Sequence, residues 1–192
     1  LGVMGGLLYA VGGESASSYL SSMEVYDPST NVWRAAPSMT TARYSLGVGV
    51  MGSRLYAVGG TGSNGGDLSS VEIYEEGVGW IAGVAMATAI DTFGVGVLGA
   101  RLFVVGGEVA TYDASTSGAE TQSAVSSMRV YDEGGAWSAG AGMATARNAP
   151  GVGVLDGVMY VVGGQSGSAA SSWTTLSSME AYDVGLGSWN DA

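Results

Sequence analysis

The sequence predicts an all-β protein assembled from copies of one small unit. Three observations predict it. A short apolar run closed by two glycines occurs four times: LYAVGG ending at Gly13, RLYAVGG at Gly60, RLFVVGG at Gly107 and VMYVVGG at Gly164. Val and Tyr alternate with Gly throughout, the signature of short strands and tight turns. The 192 residues include 34 glycines but 3 prolines, and 46% are hydrophobic. That balance excludes collagen and disorder and leaves apolar surface enough for a core.

Each unit continues in the same register. The glycine pairs are Gly12-Gly13, Gly59-Gly60, Gly106-Gly107 and Gly163-Gly164, at spacings of 47, 47 and 57 residues. Downstream come SSMEVY, SSVEIY, SSMRVY and SSMEAY, whose tyrosines are Tyr26, Tyr74, Tyr131 and Tyr182. Trp33, Trp80, Trp137 and Trp189 follow six or seven residues later, and Met39, Met86 and Met143 follow the first three. This pattern resembles the kelch repeat, whose period lies near 50 residues, and the resemblance covers the whole chain. It is most similar to the kelch domain of BTB–kelch proteins. The resemblance implies a β-propeller in which each repeat is one four-stranded antiparallel blade beside a central channel. Intracellular kelch proteins of this type usually have six blades. The four units, at about 1–36, 43–83, 90–140 and 147–192, are therefore expected to be an incomplete part of a six-bladed ring. Flanking sequence would supply the rest, and a first residue of Leu inside a repeat fits that expectation.

The strands follow in order. GVGVMG, GVGVLG and GVGVLD are inner strands, whose alternating glycines let backbones crowd where side chains would clash. LYAVGG and its kin are second strands, leaving through a turn that favours residues without a Cβ. SSMEVY and its kin are third strands, and each Trp opens an outer fourth. Tyr and Trp are expected to fill the gap between neighbouring blades. The opening LGVMGGLLYAVGG lacks a basic leader and matches the later units, so it reads as a strand and not as a signal core.

Comparing the units exposes a paired change. Arg43 opens the second unit and Glu72 lies on its third strand; Arg147 and Glu180 repeat this in the fourth. In the third unit, Ile90 and Arg129 stand at these places. Arg43–Glu72 and Arg147–Glu180 are therefore expected to be partly buried ion pairs, since losing one partner strands a charge.

Composition removes whole classes of function. The net charge is −11, with six basic residues, all arginine. Nucleic acids and anionic membranes are excluded as partners by sign, and no apolar run is long enough to span a bilayer. Without cysteine or histidine there is no disulfide, no thiolate chemistry, no Ser-His-Asp scheme and no common zinc ligand. No cofactor or metal is expected, and the absence of cysteine fits a cytoplasmic location. GVGVMG and GVGVLG match G-x-G-x-x-G, but a strand follows where a dinucleotide site needs a helix. DASTSG from Asp113 resembles a calcium loop, but its twelfth position is Ala124 where a bidentate Glu is required. It reads as a flexible polar loop.

The loops between second and third strands vary in length: residues 14–20, 61–68, 108–125 and 165–176. Insertions gathered on one face of a repeat protein build binding surfaces. Trp173 and Tyr112 lie off the repeat pattern in the two longest of these loops and are candidate anchors. In BTB–kelch adaptors, peptide contacts cluster just after the double glycine and just after the Arg that opens the inner strand. The resemblance carries the first set onto Glu14, Ser15, Thr61, Glu108, Gln165 and Ser166. It carries the second onto Tyr44, Ser45, Asp91, Thr92 and Asn148. These are acids and hydroxyls where adaptors for acidic degrons place arginines, so a neutral or basic peptide is expected. The expected function is a non-catalytic protein-interaction module, ubiquitin-ligase adaptor-like or cytoskeletal, serving as substrate-recognition or scaffold domain. The alternative is a sugar-directed kelch enzyme, isomerase- or mutarotase-like, with Arg and Glu at the channel mouth.

Overall fold

A computed structural model describes residues 1–113, 119–169 and 172–191. Four four-stranded antiparallel sheets follow one another along the chain as the blades of a β-propeller. Blade 1 comprises Gly2–Met4, Leu7–Val11, Met23–Asp27 and Val32–Ala36. Blade 2 comprises Gly47–Met51, Arg54–Val58, Val71–Glu75 and Gly79–Ala82. Blade 3 comprises Gly94–Leu98, Arg101–Val105, Met128–Asp132 and Trp137–Gly140. Blade 4 comprises Gly151–Leu155, Val158–Val162, Met179–Asp183 and Ser188–Asp191.

The core lies between blades. Met4, Tyr9, Val11 and Met23 of blade 1 pack on Leu55, Ala57 and Tyr74 of blade 2. Met51, Tyr56 and Val58 of blade 2 meet Leu102, Val104 and Tyr131 of blade 3. Phe103, Val105 and Val130 of blade 3 meet Met159, Val161 and Tyr182 of blade 4. Blades 2 and 3 are thus covered on both apolar faces by neighbours, and blades 1 and 4 on one, which is why one copy of the unit cannot be stable alone.

Near the channel, glycine sets the spacing. A Cβ on Gly94 would overlap Val152 of blade 4, and one on Gly47 would overlap Phe93 and Val95 of blade 3. The valines of each inner strand therefore enter sockets left by the glycines of the preceding one. The last socket is open: Gly153 has free space around its Cβ position, and Val154, Leu155 and Val162 of blade 4 are exposed. Leu1 and Val3 of blade 1 are exposed on the other side.

Double glycines turn the chain onto the channel rim. Gly59 and Gly60 have φ of 53° and 85°, and the other pairs repeat this geometry. Such a left-handed doublet is open to glycine at no steric cost. The second glycine also joins blades: Gly13, Gly60 and Gly107 donate to the carbonyls of Arg43, Ile90 and Arg147.

On the outer edge, each tyrosine lies against its tryptophan, with ring centroids 4.9–5.4 Å apart. Trp80, Trp137 and Trp189 also donate their indole N–H to Pro37, Val84 and Ala141 in the linker arriving from the preceding blade. Trp33 departs from the expectation that every indole is wedged between blades. It is 48% exposed, and among the described residues its indole has no linker carbonyl like those that Trp80, Trp137 and Trp189 bond.

One loop also departs from expectation. In the 108–125 insertion, Glu108–Asp113 pairs with Ala119–Ala124 as an antiparallel ribbon. Ser115, Ser117 and Gly118 of the DASTSG motif lie outside the described residues.

Candidate functional site

The two sets of rim residues form one belt. Tyr44 pairs with Thr61, Asp91 with Glu108 and Asn148 with Gln165, each as backbone partners across the start of a blade. Side chains then bridge the gaps between blades. Thr61 Oγ1 donates to Asp91 Oδ2 at 2.9 Å, and Asn148 Nδ2 donates to Glu108 Oε2 at 2.7 Å. The belt runs Tyr44, Thr61, Asp91, Glu108, Asn148, Gln165 across blades 2, 3 and 4.

The backbone is held in the same way. Ser45, Thr92 and Ala149 occupy equivalent positions with φ of 50°, 50° and 48°. Thr92 N–H donates to Ser45 O, and Ala149 N–H donates to Thr92 O. Three non-glycine residues in the left-handed region are sterically unfavourable, and here each links one blade to the next.

Electrostatically the belt is acidic and half-dry. Asp91 and Glu108 are 6% and 8% exposed. Burial pushes Asp91 above the ordinary aspartate range, against hydrogen bonds from Thr61 and Thr92 that pull it down. Burial also raises Glu108, helped by the nearby charges of Asp91 and Asp67. Thr61 is buried as well, whereas Gln165 is exposed and Tyr44, Ser45, Thr92 and Asn148 are partly so.

The remaining candidates stand apart from the belt. Glu14 and Ser15 are exposed on blade 1; Glu14 pairs with Tyr19, and Ser15 closes a turn on Ser18. Ser166 pairs with Thr174 in a short ribbon, and Trp173 beside it is partly buried. Tyr112 contributes its backbone to the long ribbon, opposite Glu120, and its side chain lies outside the described residues. Sequence reasoning passed over Tyr19, whose ring lies 4.5 Å from that of Tyr44. Its signal was available: it is another aromatic off the repeat pattern, in the 14–20 loop.

Arg43 and Arg147 sit beneath this rim and face inward. Arg43 Nη2 lies 2.9 Å from Glu72 Oε1, and Arg147 Nη2 lies 3.1 Å from Glu180 Oε1, with both arginines fully buried. Each guanidinium also donates to two backbone carbonyls: Gly59 and Ser70, or Gly163 and Ser178. Each glutamate in turn accepts two backbone N–H groups of the incoming linker, Thr40 and Thr41 or Ala144 and Thr145. Burial pushes Glu72 up, but hydrogen bonds from Thr40 and Arg43 outweigh it and hold the carboxyl below its usual range. These are joints between strand and linker, and they engage both terminal nitrogens of each guanidinium, with Arg43 Nε left buried and without a partner among the described residues.

Among the described residues, no group of three or more His, Cys, Asp or Glu is placed to hold a metal ion. No helix among them is long and apolar enough to cross a membrane.

Comparison with known proteins agrees with this architecture. The structure of YjhT superimposes with a TM-score of 0.77 at 14% identity, over 99% of this chain and 67% of that one. At that identity the likeness speaks for the fold. The family model for the kelch motif matches residues 1–40, 42–75 and 146–192, more than half of the chain. The whole of the third unit, where Ile90 and Arg129 stand, falls between the matched segments. The chain belongs to the kelch-motif family.

Proposed function

We propose that the chain is a non-catalytic protein-interaction module that takes a neutral or basic peptide or protein segment on the rim formed by its second-to-third-strand loops. The observation that carries this is the continuous belt from Tyr44 to Gln165, with Thr61–Asp91 and Glu108–Asn148 as its cross-blade links. A rigid, pre-positioned set of acceptors lowers the ordering cost of binding an extended segment. Its acidic character selects against acidic partners. Substrate recognition for a ubiquitin ligase, or cytoskeletal scaffolding, in the cytoplasm is the setting this reading favours. We further propose that more blades from flanking sequence seat on the open face of blade 4 and on blade 1. The unfilled socket at Gly153 and the half-exposed Trp33 support that reading.

Selection from an unbiased displayed-peptide library tests the proposal. Neutral or basic peptides should emerge, and Asp91→Lys should weaken them at least about tenfold, one charge-assisted hydrogen bond's worth. Acidic peptides, or binding indifferent to Asp91→Lys, would refute it.

A second reading is favoured by one observation. Asp91 and Glu108 are neighbouring buried carboxyls, both raised, as a general acid requires. A sugar-directed enzyme would use them at the channel mouth. Polarimetry of aldose mutarotation, with Glu108→Gln as the inactive control, distinguishes this reading from the first.

A further inference from the structure

Blade 3 carries a site that its sister blades fill for themselves. In blades 2 and 4, the linker presents two backbone N–H groups to a glutamate of the third strand: Thr40 and Thr41 to Glu72, Ala144 and Thr145 to Glu180. The linker into blade 3 is anchored identically. Met86 N–H donates to Ser69 O, as Met39 does to Ser21 and Met143 to Ser126. Its two corresponding donors are Ala87 and Thr88 N–H. The residue facing them on the third strand is Arg129, which has no acceptor to offer.

The exchange does not remove the charge but inverts it. Arg129 Nη1 is buried and has no hydrogen-bond partner among the described residues. Burial pushes its guanidinium down, with no carboxylate to oppose the shift. Ile90 fills the place of Arg43 and Arg147, and Ser127 Oγ, whose equivalents Ser70 and Ser178 bond those arginines, is left unpartnered. A pocket of about 240 Å³ opens here, lined by Met86, Ala87, Arg129, Trp137, Ser138 and Ala139. In a chain of net charge −11, this places a cation without a partner among the described residues, and two linker N–H groups that no glutamate faces, beside a largely apolar cup that also presents Ser138.

We propose that this pocket binds a carboxylate, which takes the position of the missing glutamate. One oxygen accepts from Ala87 N–H and the other from Thr88 N–H and the Arg129 guanidinium, while the attached carbon chain lies against Met86 and Trp137. Carboxylate is favoured over a tetrahedral anion because the same pair of linker N–H groups holds a planar carboxylate in both sister blades. The site lies on the outer part of the blade and is separate from the rim belt.

Titration with sodium propionate, at constant ionic strength in chloride and followed by the amide resonances of Ala87 and Thr88, tests the proposal. Both resonances should shift saturably. Arg129→Gln should weaken binding by about tenfold or more, as loss of a hydrogen bond to a charged group implies. The pair Ile90→Arg with Arg129→Glu, which rebuilds the sister-blade joint, should abolish binding while keeping thermal stability at or above that of the parent. That variant also separates loss of the site from loss of fold. Unmoved amides, equal binding in Arg129→Gln, or phosphate binding more tightly than propionate would each overturn the proposal.

Discussion

Thr61 Oγ1 donates to Asp91 Oδ2 at 2.9 Å, joining the rim of blade 2 to that of blade 3 with both side chains buried. Asp91→Asn keeps an acceptor for Thr61 and removes a buried charge. Asp91 is raised in the folded chain, so the native state binds its proton more readily than the unfolded state does. The ionised carboxylate therefore costs stability above its folded pKa, and the cost fades as pH falls toward the unfolded value near 4. Asp91→Asn should be more stable than the parent at pH 7 and equal to it near pH 4. Urea denaturation at the two pH values checks this.

Glu72 has the opposite sign. Its folded pKa is held low, so its contribution is present above the unfolded carboxylate range and is lost as pH falls through the folded value. Arg43→Met leaves Glu72 buried without its cation and should cost about 3–5 kcal/mol at pH 7. Arg43→Ile with Glu72→Arg, the pair blade 3 uses, should recover part of that loss. Denaturant midpoints of the two variants make the comparison.

The four tryptophans should not be equivalent. Trp137 is partly buried between blades and donates to Val84 O, so Trp137→Ala should cost about 3–5 kcal/mol. Trp33 is half exposed and lacks that bond, so Trp33→Ala should cost clearly less, about 1–2 kcal/mol. Equal losses on thermal unfolding would contradict the wedge role of the outer indoles.

The repeat was legible because its glycines, tyrosines and tryptophans meet local demands. A left-handed turn at Gly59-Gly60 or a close approach at Gly94 admits no substitute, so the sequence must spell it. Rim residues obey no such local rule. Ser45, Thr92 and Ala149 adopt positive φ without glycine, because hydrogen bonds from adjoining blades hold them there. The ribbon from Glu108 to Ala124 read as a loop, since its composition is polar and its strands pair with each other outside the four-stranded blade. The exposure of Trp33 depends on which neighbour is present, which no single unit records, whereas the isolation of Arg129 follows from Ile90 in its own unit.

Gly94 and Gly153 test how the blades nest. A Cβ at Gly94 would overlap Val152, so Gly94→Ala should destabilise by about 1–3 kcal/mol. Gly153 faces open space in these four blades, so Gly153→Ala should be neutral within about 0.5 kcal/mol. In a longer chain whose next blade fills the socket, the same change should become as costly as Gly94→Ala. Calorimetry of both chain lengths distinguishes the two cases.

The claim that the rim is the binding face is tested most directly by mapping a selected peptide ligand through photo-cross-linking. Cross-links should fall in 14–20, 61–68, 108–125 and 165–176 and beside Tyr44, Asp91 and Asn148. Cross-links confined to the outer strands Val32–Ala36, Gly79–Ala82 and Trp137–Gly140 would contradict it.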